Sequence, residues 1–319
     1  MSNDRHFLIT GALGHIGSKL LSDLAVAYPN ARITLIDDFY AQRYCSLFNL
    51  PETAEFRFIE GDVRKLDLNA LLPSTTALFH LAAITDANAS LEKGPFVEEN
   101  NLLGTRRVAE ACAKHDVALF YPSSTSVYGS QDAVVDEDTP DSELKPQSPY
   151  AESKIKEERL IRHLVGSAGL KAVICRFGTI YGASPGMRFH TAVNKFCWQA
   201  LTGQKLTVWQ TAYEQRRPYL YLGDMVNAAR MFIDENLWDG QTYNVVTSNH
   251  TVHEVIGTIK KFVNDVEIEF VESRIMNQLS YDVRNTRLDK LDFKFEGSLH
   301  KGIEETMNLF SALRSRSAQ

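Results

Sequence analysis

Among its 319 residues the chain has only four cysteines, Cys45, Cys112, Cys175 and Cys197, and no two of them form a CxxC pair. That scarcity argues against a disulfide framework and against a zinc site built on paired thiolates, leaving reduced, mostly buried thiols as the expectation. Long apolar runs are missing too, none approaching the roughly 18 residues of a membrane helix. Nor is there an excess of positive charge. Lys and Arg total 34 against 40 Asp and Glu, a net charge of −6, so no general attraction to nucleic acid or to an anionic membrane is expected. Phosphate would have to be met by local basic pockets. Repeats and low-complexity tracts are absent, and the final Ser-Arg-Ser-Ala-Gln reads as a frayed tail. What is present is 44% hydrophobic and 23% charged residues, an ordinary globular composition in a chain long enough to bury a large core. The N-terminal Met-Ser-Asn-Asp-Arg-His leads straight into an apolar strand, so a cytoplasmic protein is expected.

The stretch that organises the rest is Phe7-Leu-Ile-Thr-Gly-Ala-Leu-Gly-His-Ile-Gly17. An apolar run stops in three spaced glycines and continues as an amphipathic segment, the pattern of a strand turning tightly into a helix. Gly11 permits the turn, Gly14 lets backbone approach a pyrophosphate, and Gly17 lets the helix pack on its strand. His15 and Ile16 open that helix, whose free N–H groups and partial positive charge suit an anion. A second strand, Ile33–Asp37, ends in an acid about 20 residues beyond the turn, where a carboxylate suits a ribose diol. Asp38 adds a like charge beside it.

Alternation continues through the first half. Strand-like runs at Glu55–Ile59, Ala77–His80, Val117–Tyr121 and Ala172–Cys175 are interleaved with helical patterns near Ile16–Ala27, Val97–His115 and Tyr150–Val165, which predicts an α/β doubly wound parallel sheet with right-handed crossovers. Past Arg176 the pattern turns irregular, with a helix predicted at Thr191–Leu201 and a short strand at Leu206–Trp209. The expectation is a nucleotide-binding domain over 1–176 and a smaller C-terminal substrate lobe over 177–319. Segments near 222–246 are expected to return to the first domain.

Ser148-Pro-Tyr-Ala-Glu-Ser-Lys154 is the second informative stretch. Ser148 caps a predicted helix whose first residue is Pro149, and Tyr150 and Lys154 then share one face. An ammonium beside a phenol favours the phenolate, a general base for a sugar or alcohol hydroxyl. A surface helix with a chance Tyr/Lys pair is the bland alternative, but Tyr121-Pro-Ser-Ser-Thr-Ser-Val-Tyr-Gly129 brings hydroxyls to the same sheet edge.

Together these motifs resemble the extended short-chain dehydrogenase/reductase family, the sugar-nucleotide epimerases and dehydratases. The resemblance runs through Gly11-x-x-Gly14-x-x-Gly17, Asp37, Gly61-Asp62-Val63, His80-Leu-Ala-Ala83, Asn101-x-x-Gly-Thr105, Ser123-Ser-x-x-Val-Tyr-Gly129, Tyr150-x-x-x-Lys154, Arg176 and Tyr181-Gly182. It implies a Rossmann-type fold, NAD as cofactor and a nucleotide-diphosphate sugar as substrate. Asp37 would meet the adenosine ribose, Asp62 and Val63 the adenine, and Leu81, Ala82 and Ala83 would line the cofactor cleft. Ser124 matches the hydroxyl donor, Tyr150 the base, and Lys154 the residue that also holds the nicotinamide ribose, while Asn101 is structural. Arg217, in Arg217-Pro-Tyr-Leu-Tyr-Leu-Gly-Asp224, and Arg284 match arginines that meet the diphosphate, for which guanidinium forks are suited. Arg188, Asn194, Thr125 and Thr179 are candidates for the substrate cleft, and His190 reads as a structural histidine. A homodimer, paired through the helices near Val97–His115 and Tyr150–Val165, is implied as well.

Three departures shape the functional expectation. Dehydratases of this family carry Thr-Asp-Glu where this chain has Ser124-Thr125-Ser126, so elimination of water loses its acid and base. Thr179 replaces an asparagine common in epimerases, and Gln210-Thr-Ala-Tyr replaces the usual Gly-Asp-Gly. The expected activity is 4-epimerisation of an NDP-sugar through transient oxidation at carbon 4. A 4-dehydrogenase or 4-keto reductase is the alternative, and a catalytically silent NAD-binding sensor a third. No metal is expected.

Overall fold

The computed structural model describes residues 5–85, 94–129, 134–272 and 280–313; the expected frayed tail lies outside them. Seven strands form the main sheet: β1 (His6–Thr10), β2 (Arg32–Asp37), β3 (Glu55–Glu60), β4 (Ala77–His80), β5 (Ala118–Ser124), β6 (Ala172–Phe177) and, returning from the second half, β10 (Asp239–Val245). Their order is β10-β6-β5-β4-β1-β2-β3, and every pairing is parallel. All five residues of β1 are buried. Its side chains alternate between two cores, Phe7 and Ile9 on one face and Leu8 on the other, because successive strand residues point to opposite sides of the sheet.

Helices cover both faces. Helix α1 (His15–Ala27) and α6 (Leu222–Asp234) pack together on the Phe7 side. On the Leu8 side lie α3 (Gly94–His115), which follows the short α2 (Leu68–Leu71), and α4 (Pro149–Ala168). Helix α4 starts as its sequence predicts, with Ala151 N–H donating to Ser148 Oγ at 3.2 Å and Pro149 in the first turn. It ends at Gly169, whose φ of 66° suits glycine.

A smaller body sits at the carboxyl end of the sheet. It contains β7 (Thr179–Tyr181), β8 (Leu206–Trp209), β9 (Arg216–Tyr221), β11 (Ser248–Thr251) and β12 (Ile268–Val271), with α5 (Ala192–Leu201), α7 (Val252–Ile259) and α9 (Leu299–Leu309), whereas α8 (Thr286–Lys290) packs back against β10 of the main sheet. The strands form a three-stranded sheet, β11-β9-β7, and a two-stranded one, β12-β8. Two strand ends extended beyond the sequence reading bear on the site. Strand β5 continues through Pro122 to Ser124, paired with β6 along its length, so Ser123 and Ser124 stand on a rigid strand end and not in a loop. Strand β6 likewise runs on through Arg176 to Phe177, and Arg176 is held there by a buried pair with Glu158 at 2.7 Å.

Candidate active site

The strand order reverses at β1, which lies between β2 and β4, and the crevice beyond the carboxyl ends of such strands is where open α/β sheets bind ligands. The turns leaving β1 and β4 touch there. Gly11 has φ +64°, and a Cβ on it would lie 2.6 Å from the Ala82 nitrogen; a Cβ on Gly17 would lie 2.5 Å from the Ala12 carbonyl. A Cβ on Gly14 would meet Gly11 O at 3.2 Å and otherwise only the Arg43 side chain at 3.9 Å. The middle glycine is thus less closely hemmed than the outer two, which suits a cradle for a pyrophosphate.

Asp37 ends β2 beside this turn and is fixed through both oxygens, which accept the N–H groups of Leu13 at 3.1 Å and Phe39 at 3.0 Å. Burial pushes its carboxyl above the usual range, partly offset by those amides. Asp38 accepts Tyr40 N–H. Asp62 is engaged bidentately by Arg64, at 2.9 and 2.7 Å, and those bonds hold its carboxyl low; Val63 next to it is buried. His15 does not face the cradle for binding. Its Nδ1 pairs with Ser184 Oγ at 2.7 Å and its Nε2 lies 3.5 Å from Asn194 Nδ2. Burial, and then the charges of Arg188 and Arg43, push this imidazole down to about 3. It therefore joins the glycine turn to the loop after β7.

A cleft of about 700 Å³ opens between the sheet edge and the smaller body, and its walls include Ile16, Leu81 and Ala83 from the cofactor side. Ser124, Thr125, Tyr150, Lys154, Thr179, Arg188 and Arg217 line it as well. Ser124 caps a short 3-10 turn, its Oγ accepting from Ser126 N at 3.2 Å and Ser126 Oγ at 2.9 Å, which leaves its own O–H to donate. The Lys154 ammonium lies 5.9 Å from the Tyr150 ring centroid and 4.6 Å from that of Tyr121, and donates to the Tyr121 hydroxyl at 2.9 Å. His80, hydrogen-bonded to Thr10 at 2.8 Å, is pushed down to about 3 by burial and so is neutral. Among the described residues, the buried cleft atoms Gln147 Oε1, Thr191 Oγ1 and Arg217 Nε have no hydrogen-bond partner. Buried polar groups are nearly always satisfied, so these are places for a ligand.

Two candidates fall elsewhere. Arg284 is exposed and does not line the cleft; its backbone N–H donates to Val135 O and its carbonyl accepts Asn244 Nδ2. It is Tyr281, in the same Tyr281-Asp-Val-Arg284 string, that reaches the cleft, and its hydroxyl donates to Thr125 O at 2.8 Å. Asn194 is fully buried under the cleft wall, bonded to Gly182 N and Arg188 O, and shapes the loop that presents Arg188. Arg188 Nη1 donates to Thr85 Oγ1 at 2.6 Å. His190 is exposed and lines the cleft, where a structural histidine was expected. Asn101 is structural, bonded to both backbone groups of Ile84. Gln147, Ser126, Lys195 and Tyr281, none of them a sequence candidate, also line the cleft. Only Ser126 carried a signal, its place in the hydroxyl run after Ser124.

A parallel doubly wound sheet with a glycine cradle, an acid ending the second strand and a Ser/Tyr/Lys wall defines a dinucleotide-dependent enzyme acting on a hydroxyl or carbonyl. The chain belongs to the NAD dependent epimerase/dehydratase family, whose model matches residues 7–245, and its cofactor is accordingly NAD. It is 32% identical, over 75% of this chain and 75% of the relative, to YtcB of Bacillus subtilis (strain 168), named as an uncharacterized UDP-glucose epimerase. It is 30% identical over 96% of its length to the trifunctional UDP-glucose 4,6-dehydratase/UDP-4-keto-6-deoxy-D-glucose 3,5-epimerase/UDP-4-keto-L-rhamnose-reductase RHM1 of Arabidopsis thaliana, of which it spans 47%. Among solved structures it resembles MoeE5 in complex with UDP-glucuronic acid and NAD, with a TM-score of 0.82 and 27% identity over 96% of this chain and 99% of that one.

Proposed function

We propose that this enzyme is a cytoplasmic NDP-sugar 4-epimerase, with UDP as the nucleotide. The observation that carries the reading is the wall on which Ser124, Tyr150 and Lys154 meet, with hydroxyls at Thr125 and Ser126 where elimination would need acids. Tyr150 takes the proton from the sugar hydroxyl at carbon 4, Ser124 donates to the same oxygen, and Lys154 places its ammonium 5.9 Å from the Tyr150 ring. Bound NAD supplies the acceptor and donor of the hydride. Arg217, with its unpartnered Nε, is placed for a diphosphate oxygen. UDP is favoured by the names of the relatives and by the nucleotide bound in MoeE5.

A panel of UDP-, GDP-, CDP- and dTDP-sugars followed by NMR tests the substrate. With deuterium at carbon 4, the product should retain the label there, with no steady build-up of NADH. A released 4-keto sugar, or label lost to an added 2-keto acid, would instead identify a 4-dehydrogenase. We further propose a homodimer through α3 and α4, where Phe96 and Leu103 are exposed apolar residues; a monomer by light scattering at micromolar concentration would count against it.

A further inference from the structure

Helix α4 carries two consecutive buried glutamates, and they serve different partners. Glu158 is matched by Arg176, at 2.7 and 3.0 Å, and by the Ser123 hydroxyl. Glu157 turns toward α3 and β5. Its Oε2 accepts the Thr105 hydroxyl at 2.6 Å and the Tyr121 hydroxyl at 2.6 Å, and lies 3.6 Å from Lys154 Nζ. Its Oε1 is buried with no hydrogen-bond partner. Lys154 donates to the oxygen of the same Tyr121 hydroxyl, so ammonium, phenol and carboxylate form one continuous chain behind the cleft.

We propose that Glu157 is a positioning residue for Lys154: through the Tyr121 hydroxyl it holds the ammonium in register with Tyr150 and supplies the counter-charge that a buried cation requires. The proposal rests on the reading of Tyr150 and Lys154 as the catalytic pair. Stability is a poor explanation for this arrangement, since a buried ion pair gains little over apolar packing and a half-satisfied carboxylate is worse. The bridge has a fixed direction. Burial, and then Glu157, raise the ionisation of Tyr121 well above the usual phenol range, so its hydroxyl keeps its proton, donates to Glu157 and accepts from Lys154.

The titratable groups around the ammonium are His80 from β4, Tyr121 from β5, and Tyr150, Glu157 and Glu158 from α4; α3 contributes the uncharged Thr105. His80 is neutral and Glu158 is engaged with Arg176. Among the described residues, Glu157 is the carboxylate within ion-pair distance of Lys154. Without it a buried ammonium sheds its charge or swings away; either outcome removes the cation beside the Tyr150 ring, and that loss outweighs the direct effect of deleting a carboxylate that reaches the site through Lys154 and Tyr121.

Glu157→Gln keeps one oxygen for Thr105 and Tyr121 and removes only the charge. An ultraviolet titration of the tyrosinate band, taken as the difference from Tyr150→Phe in the same background, should show Tyr150 ionising about one pH unit higher. The acid limb of kcat should move in the same direction with KM for the sugar nucleotide unchanged, and Glu157→Asp should restore part of the shift. An ionisation of Tyr150 that stays put or moves down would overturn the proposal. Should Glu157→Gln not fold, Tyr121→Phe removes the bridge and should shift the titration in the same direction; no shift there overturns it equally. A Tyr150→Phe variant with full turnover would sink the underlying reading instead, whatever Glu157 does.

Discussion

At the scale of single residues, the chemistry depends on a few atoms whose removal barely changes the packing. Tyr150→Phe deletes one hydroxyl on the cleft wall, so turnover should fall by about 10²–10⁴ while calorimetric NAD binding and the melting curve stay near wild type. We propose that Asp37 sets cofactor choice. Its carboxylate is locked by Leu13 and Phe39 amides at the end of β2, where it would accept a ribose diol and repel a 2′-phosphate. NAD should therefore bind more tightly than NADP by calorimetry, and tighter NADP binding would refute this. Among the described residues Arg43 is a counterweight, since its charge acts on Asp37.

At the scale of elements, helix α4 carries Tyr150 and Lys154 in its first two turns, so its start fixes the geometry of the wall. The Ser148 hydroxyl accepts Ala151 N–H there, and Ser148→Ala should cost about 1 kcal/mol in denaturant unfolding. Because Ser148 also lines the cleft, kcat should fall as well, and a kcat effect without lost stability would show that the cap matters only for catalysis. The helix is anchored further along by Glu158 to Arg176 on β6. Glu158→Ala leaves that guanidinium buried and unpaired, which should cost about 3–5 kcal/mol by the same measurement.

At the scale of the whole molecule, two histidines tie stability to pH. His15 and His80 are both pushed down to about 3 by burial, far below the unfolded value near 6.5. Between those limits the unfolded chain binds the additional protons, so the stability each neutral imidazole carries is complete above about 6.5 and is lost as pH falls. Unfolding by denaturant should show lower stability at pH 5.5 than at pH 7.5, and His15→Asn should flatten that slope. A slope unchanged by the substitution would mean that His15 is not the group titrating. His15 also bonds Ser184 across to the loop that carries Arg188, so the same variant should raise KM for the sugar nucleotide.

The sheet, the glycine turn and the helix bearing Tyr150 and Lys154 are legible in the sequence because all three are local: strand alternation, three spaced glycines, and a Ser-Pro start with a four-residue spacing. The return of a segment near 222–246 is legible too, though not the pairing of Asp239–Val245 with β6. The rest depends on contacts between distant segments, which no local pattern encodes. Arg284 and Tyr281 share one short string, yet the path of the backbone past Val135 turns the arginine outward and seats the tyrosine on Thr125. Asn194 and His15 are 179 residues apart, and only folding brings them to 3.5 Å. Nothing in the sequence sets Glu157 apart from its charged neighbours Lys156 and Glu158. The approach of Thr105 and Tyr121 buries it, and burial is what turns an ordinary surface carboxylate into a charge that must be paired.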